Sequence, residues 1–481
     1  MTATPPSFKK LPRLTTPSVQ SIQDPSSSRQ LPVGRLGLDE LRSVVKAGLV
    51  DTVVLALPNL QGQLKGKRYG ARHFIDRVAG RGAEMCKYIL ATDIDMSPVD
   101  GFDLTSWSTG YEDVAVVPDF ATLRMVPWLP RTALVLGDAI GPDEQPLDVA
   151  PRQILRDQLT QLAAHGLQAQ VGLETEFVLY RGAYAKAMRV GSGGLGPVAE
   201  DNLDYALDHP PAMDRYFRRL QGALSRAGMP VEAIKTEGAP GQVEITFPYG
   251  GALSACDRHL VFKHAVRTLA GRAGMTATFM ASPQTGVVSG LHVHVSLTRS
   301  GNAMLPTPDG ELSLIGKQAV AGLLSALPGL APLYAPTVNS YKRYVPGSFA
   351  PTRMTWGFDN RTCAVRVVGH GDGLHLEVRL AGADANPYTA VSAVLASITH
   401  GLVKSPDLPS ACLSNAYESA DAVSVPVTLD QARSAFRHSP IAQAAFGVDL
   451  VEHYAHLSQI ELDHHRTVVT DAEQERWFTR A

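Results

Sequence analysis

Four short stretches of this chain alternate apolar and polar side chains with a period of two. In each, the polar set consists of residues that bind metals or anions. The stretches are 172–177, 242–245, 291–295 and 375–379. Residues i and i+2 of a strand share a face. Glu174 and Glu176 therefore oppose Leu173, Thr175 and Phe177, and Glu244 opposes Val243 and Ile245. His292 and His294 oppose Leu291, Val293 and Val295; His375, Glu377 and Arg379 oppose Leu376 and Val378. A sheet with an apolar back and a Glu/His/Arg front is costly unless ions sit on that front. The pattern predicts a metal-dependent site that handles phosphate.

Elsewhere the pattern changes period. A helix is expected from Leu36 to about Gly48, then a strand Thr52–Leu57 and a turn and return strand over Gln61–Lys67. Pro98 to Asp113 is rich in Gly, Ser and Asp and reads as a long loop. Pro151 suits a helix start, and Ile154, Leu155, Leu159 and Leu162 form one stripe that Gly166 ends. Tyr216–Ala227 and Asp257–Ala273 read as helices, and the tail from about Pro426 as helical and polar. Residues 182–200 are Gly-rich and read as mobile. The segment 1–34 is rich in Ser, Thr, Pro and Gln and is expected to be disordered. The divisions expected are 1–34 as a tail, 35–145 as an N-terminal domain and 146–481 as a catalytic domain.

Composition narrows the class. The 481 residues are 44% hydrophobic and 19% charged, as in soluble globular proteins. A net charge of −2 gives no broad pull toward nucleic acid or an anionic membrane. No uninterrupted apolar run suits a bilayer span, and the start lacks the apolar core of a secretory signal. Cys86, Cys256, Cys363 and Cys412 are scattered without metal-site spacing, which suits a reducing cytoplasm. Cys363 lies among the arginines named below, and the plain reading is a small buried residue.

Each candidate alone has an ordinary explanation: an exposed strand carrying glutamates, a core histidine, an edge ion pair. The four stretches together do not. Glu237 and Glu244 flank the tight turn Gly238–Gly241, which brings both carboxylates back toward one point. Carboxylates with one or two imidazoles suit two Mg²⁺ or Mn²⁺ ions rather than zinc. Arg343, Arg361, Arg366 and Arg379 supply the positive charge that phosphoryl transfer needs. A Walker-type phosphate loop and the protein-kinase signature are both absent, so ATP must be held by another scaffold.

In this order the residues resemble glutamine synthetase, from about Leu36 to the C-terminus, most specifically over 172–179, 237–247, 290–297, 339–351 and 360–379. The resemblance implies an α+β fold: an N-terminal β-grasp domain and a catalytic domain with a curved antiparallel sheet flanked by helices. It implies two stacked hexameric rings, a homododecamer with each active site between neighbours. It also implies that Glu176, Glu237 and Glu244 hold one metal, and Glu174, His292 and Glu377 the other. Arg343 and Arg379 would hold the glutamate α-carboxylate and developing phosphate; Arg361 and Arg366 would grip the phosphoryl group and ATP; His294 and Ser296 would face the nucleotide. Arg361 and Glu377 would be catalytic. The implied reaction forms γ-glutamyl phosphate from glutamate and ATP, which an amine then displaces.

The chain departs from the family at the amine end. The family closes its ammonium pocket with a glutamate in the loop after the lysine–arginine pair. Here Phe349 stands there, in Arg343–Pro351. Phenylalanine neither attracts ammonium nor takes its proton, but it can pack against a larger amine. The N-terminal Asp-Gly-Ser-Ser motif is also missing, with Asp93 and Asp95 as candidate substitutes. The family's Asn-Gly-Ser-Gly is replaced by Val287-Val288-Ser289-Gly290, so glutamate is expected to be held differently. These departures point to an organic primary amine, as in the γ-glutamyl-polyamine and γ-glutamyl-ethanolamide synthetases. Glutamine synthesis from ammonia is the alternative, and an inactive structural relative is a third reading. Tyr417 lies near where some members are adenylylated, but that modification is not expected here.

Overall fold

The computed structural model describes residues 32–185 and 194–481. The expected disordered tail, except for its last three residues, lies outside them, as does part of the Gly-rich stretch. The described chain folds around two sheets. The first contains β1 (Thr52–Pro58), β2 (Leu64–Gly70), β3 (Ala83–Cys86), β4 (Asp113–Met125) and β5 (Thr132–Ile140), in the order β2-β1-β5-β4-β3. Its central pair, β1 and β5, is parallel, and the other pairs are antiparallel. The return strand begins later than the sequence suggested because Asn59 closes a turn first. Its Oδ1 accepts from the Gln63 amide at 2.8 Å and its own amide donates to Gln63 O at 2.9 Å.

The second sheet holds β6 (Gln168–Arg181), β7 (Ala233–Thr236), β8 (Gln242–Thr246), β9 (Gly250–Gly251), β10 (Met275–Thr278), β11 (Leu291–Arg299), β12 (Asn302–Ala303), β13 (Trp356–Phe358), β14 (Val365–Val368) and β15 (His375–Val378). Its main path runs β13-β14-β15-β11-β6-β8-β7. The expected antiparallel sheet is found, except that its edge pair β13–β14 is parallel. The four alternating stretches are β6, β8, β11 and β15, adjacent in space, with Leu173, Thr175, Phe177, Val243, Ile245, Leu291, Val293, Val295, Leu376 and Val378 buried.

Helices cover the apolar back. Pro151–Ala164 buries Ile154, Leu155 and Leu162, and Gly166 follows it at φ +70°. Pro211–Arg226 and Ala252–Arg272 each start five residues earlier than the apolar stripe indicated; Pro211 opens the first of them. Leu314–Ala326 and Pro387–Lys404 cross where glycine meets glycine: a Cβ on Gly322 would lie 2.2 Å from Ser397 O, and one on Gly401 2.1 Å from Gln318 O. The segment Leu314–Leu333 is long and apolar enough to span a bilayer, which the sequence reading did not find, but most of it is buried within the fold. The C-terminal helices are less polar than expected: Leu429, Phe436, Leu450, Val451 and Tyr454 are buried.

Two apolar cores each run through both sheets. Polar links reinforce the seam. Arg152 reaches Asp119 and Asp138 on the first sheet, at 2.8 and 2.6 Å, and Asp257 behind the second at 2.9 Å. Asn386 Nδ2 donates to Asn59 O and Leu60 O. His453 is 3.0 Å from Leu90 O, and His456 2.8 Å from Asp100 O in the long loop that precedes β4.

Candidate active site

Strand register sets the geometry of the polar front. Glu174 on β6 pairs with His292 on β11, and Glu176 pairs with Glu244 on β8. His294 pairs with Glu377 on β15, and Glu377 with Arg366 on β14. Side chains far apart in sequence thus form one continuous band.

Glu174 is the hub. One carboxylate oxygen is 3.1 Å from His292 Nδ1; the other is 3.0 Å from His294 Nε2, outside hydrogen-bonding geometry. His292 Nδ1 is also 3.4 Å from Glu377 Oε1. Glu377 is only 1% exposed; Arg366 Nη1 donates to it at 2.8 Å, and Arg379 pairs with its other oxygen. Arg366 also pairs with Asp359. Glu176 Oε2 accepts from the Gly290 amide at 2.8 Å and from Gln242 Nε2 at 2.9 Å. A Cβ at Gly290 would sit 2.8 Å from Arg343 Nη2 and 2.9 Å from His292 Nε2, so any larger residue there would push both side chains out of place. Glu237 follows β7 and pairs with Lys235 Nζ at 2.6 Å.

The charges do not balance evenly across this face. Burial works against ionised Glu174, yet His292 and His294 prevail and lower its pKa. Burial also opposes ionised Glu377, but His292, Arg379 and His294 hold its pKa down. His294 is raised by Glu174 against the effect of burial. Glu244 is pushed up to about 9 by burial and by Glu174, Glu237 and Glu176. Glu237 is raised by burial and by Glu176. A divalent cation removes both penalties, and the donor atoms fit one. Glu174, Glu244 and His292 offer atoms within 4.8 Å of one another, as do Glu174, His294 and Glu377.

This grouping differs from the one implied by resemblance. Glu174 belongs to both clusters, His294 joins a donor cluster, and Glu176 and Glu237 stand outside both. Ser296 lies on the same face as His292 and His294. The arginines divide by depth. Arg343 is buried and donates to Arg379 O and Leu380 O, both at 3.1 Å, with Nε unpartnered. Arg379 is also buried, whereas Arg361 is exposed on the turn before β14. Cys363 is buried, its thiol pushed up to about 12 chiefly by burial.

Phe349 is 61% exposed at the edge of the site, where its carbonyl lies 3.5 Å from Arg379 Nη2. Its φ of +58° is unusual for a bulky side chain, and such conformations concentrate at functional sites. Asp93 and Asp95 lie on the first sheet's side of the molecule, in the turn after the short helix Lys87–Leu90. Tyr417 donates to Ala350 O at 3.2 Å, which ties it to the Phe349 loop.

Several contributors escaped the sequence reading. Gln242 lies two residues before Glu244 and so shares its face, a signal that was available. Lys235 faces Glu244 across the β7–β8 hairpin. His375 shares the face of Glu377, and its Nε2 is 3.1 Å from His294 Nδ1.

Comparison with known proteins gives the family and the fold. The family model "Glutamine synthetase, catalytic domain" matches residues 148–477. A gamma-glutamylethanolamide synthetase of Streptomyces coelicolor is 44% identical over 460 residues, covering 95% of this chain and 99% of the relative. A glutamate–isopropylamine ligase of a Pseudomonas species is 32% identical over 446 residues, covering 91% and 97%. The solved structure of a GmaS/ADP complex superimposes with a TM-score of 0.78 at 26% identity, covering 91% of this chain and 99% of the other.

Proposed function

The chain belongs to the glutamine synthetase family and is an ATP-dependent carbon–nitrogen ligase; from that premise we propose that it joins the γ-carboxylate of glutamate to a small organic primary amine, with ethanolamine as the leading acceptor. One observation carries the choice of amine: the left-handed, exposed Phe349 at the mouth of the site, where the family resemblance calls for a carboxylate. The similarity to ligases of ethanolamine and isopropylamine supports it.

The reaction is proposed in two steps. A γ-carboxylate oxygen of glutamate attacks the γ-phosphorus of ATP, and ADP leaves. The amine nitrogen then attacks the acyl carbon, phosphate leaves, and the nitrogen loses its proton. In this reading Arg343 and Arg379 would hold the glutamate α-carboxylate and the developing phosphate, and Arg366 and exposed Arg361 would meet the phosphoryl group and ATP. Glu174, Glu244, His292, His294 and Glu377 would hold two divalent cations, Mg²⁺ or Mn²⁺, which would neutralise phosphate charge; the family resemblance adds Glu176 and Glu237, which lie outside both donor clusters. Phe349 offers a ring against the carbon skeleton of the amine, and by displacing a carboxylate removes the attraction for ammonium.

Phosphate release from ATP with glutamate and Mg²⁺ tests this reading. Ammonium, ethanolamine, isopropylamine, putrescine and spermidine are compared as acceptors, with ethanolamine expected to be strongest. Strong release with ammonium alone would overturn the proposal in favour of glutamine synthesis; no release with any acceptor would favour an inactive relative. Phe349→Glu is expected to raise the ammonium rate by about tenfold or more. We also propose a cytoplasmic homododecamer, a reading supported by four unpaired cysteines and by the family resemblance. Sedimentation of the purified protein tests the assembly.

A further inference from the structure

We propose that Asp384 is a positioning residue for glutamate: its buried carboxylate sets the turn that carries Arg343 and so controls how the amino-acid substrate is held. The proposal rests on the ligase reading above.

Arg343 sits at the end of the short helical turn Asn339–Arg343, outside the large sheet. Nothing in the sheet register fixes such a turn. Its anchors come from three other segments, one of them Glu461, whose Oε1 accepts from the Val338 amide at 3.3 Å. Asn339 exchanges hydrogen bonds with the Ser282 backbone, both at 2.9 Å. Asp384 Oδ2 accepts from Ser340 Oγ at 2.6 Å and from Thr337 Oγ1 at 3.0 Å. Arg343 then spans back to Arg379 O and Leu380 O, on the same segment that carries Asp384. The turn and the 379–384 segment are therefore cross-linked by the guanidinium and by the carboxylate, and the hydroxyl of Tyr344, just after the turn, adds a bond to Leu380 O at 2.8 Å.

The 379–384 segment is fixed in turn. The Ala383 amide donates to Ser289 O at 3.0 Å, and the wholly buried Lys263 donates to Ala383 O at 3.1 Å. Gly290, next to Ser289, carries the amide that holds Glu176. Asp384 thus joins the Arg343 turn to the same backbone that frames the metal-binding face. Its surroundings allow little else: Oδ1 is buried without a partner, and a Cβ at Gly382 would lie 2.5 Å from it. A buried acid is costly to keep, and the Ser340 and Thr337 hydroxyls and nearby Lys263 offset only part of that cost. Its hydroxyl partners lie in or beside the turn that aims Arg343, and Asp384 itself touches none of the residues proposed to meet substrate or metal.

The test measures glutamate and ATP dependence separately. Asp384→Ala is expected to raise the KM for glutamate by about tenfold or more, with the KM for ATP unchanged. Asp384→Asn keeps an acceptor oxygen for Ser340 and Thr337 and is expected to recover most of that loss. A folded Asp384→Ala protein with the wild-type glutamate KM, or with glutamate and ATP KM values raised in parallel, would overturn the proposal. Failure of Asp384→Asn to do better than Asp384→Ala would do the same. If Asp384→Ala does not fold, Ser340→Ala removes the 2.6 Å bond, together with the 3.0 Å bonds of its Oγ to the Thr337 amide and hydroxyl, and is expected to raise the glutamate KM by about threefold; an unchanged value defeats the idea. Thermal stabilisation by glutamate in the presence of Mg²⁺ and a non-hydrolysable ATP analogue separates the two readings. No stabilisation of the wild type counts against the ligase reading. Equal stabilisation of wild type and Asp384→Ala counts against positioning alone.

Discussion

At the seam between the sheets, Asp119, Asp138 and Asp257 close on the single buried guanidinium of Arg152, with Arg156 adding a second cation and Tyr388 donating to Asp257 at 2.6 Å. On the front of the large sheet, Glu174, Glu176, Glu237, Glu244 and Glu377 crowd together, and only part of their charge is met by Lys235, Arg366, Arg379 and the histidines. Both are partly buried carboxylate clusters. In the first, Asp119 resists burial and is held below the usual carboxylate range by Arg152. In the second, Glu244 is driven up to about 9. Where the chain supplies its own cations, the cluster joins structure to structure. Where it withholds them, the cluster is suited to ions from outside.

Removing one group from each cluster sharpens the contrast. Glu174→Ala takes the donor common to both clusters and is expected to lower turnover by about a thousandfold or more, with the fold intact. Phosphate release alongside thermal melting checks this; wild-type turnover from Glu174→Ala would sink the metal assignment. Mg²⁺ with ATP should also raise the melting temperature of the wild type and not of this variant. Arg152→Ala has the opposite signature. It leaves Asp257 without a cation and Asp119 and Asp138 with Arg156 alone, and is expected to cost about 3–5 kcal/mol in stability, with turnover per folded molecule preserved. Denaturant titration measures it, and a loss below about 1 kcal/mol would show that the seam does not depend on this network.

A smaller effect is expected from pH, at the same seam. His453 is held down to about 4, mainly by burial, against the bond to Leu90 O, which favours the charged form. Its folded pKa lies below the ordinary 6.5, so the unfolded chain binds the proton first as pH falls. Stability is full above about pH 6.5 and declines by about 1.4 kcal/mol per pH unit down to about pH 4. Asp119 acts in a lower window. Its folded pKa is depressed, so its contribution is present above the ordinary 3.8 and is lost on further acidification. Melting the His453→Gln variant from pH 7 to pH 4.5 should show a flatter decline, and an identical slope would remove His453 from the account. The smallest expected change is structural: Gly322→Ala forces a methyl into the Ser397 carbonyl and should cost about 1–3 kcal/mol, read by denaturant midpoint.

Much of the front face was legible before any folding. The alternation in β6, β8, β11 and β15 assigned Glu174, Glu176, Glu244, His292, His294 and Glu377 to one side because side-chain direction in a strand is a local property of the backbone. The helix Pro151–Ala164 was legible for the same reason, from its stripe and its proline. The starts of the next two helices were not, since their first turns lie outside the apolar stripes.

The tertiary structure decided what these residues do to one another. Register made Glu174 the neighbour of His292 and Glu377 the neighbour of His294, and so set which donors share a cluster. Long-range packing placed Gln242 and the Gly290 amide on Glu176, and Asp384 on the Arg343 turn. It also held Phe349 in a left-handed conformation between Arg379 and the Tyr417 contact, which no local rule assigns to phenylalanine. The face a residue points to follows from the two-residue period of its own strand. Its partners, its charge balance and its backbone strain follow from segments up to a hundred residues or more away, and those are fixed only when the whole core packs.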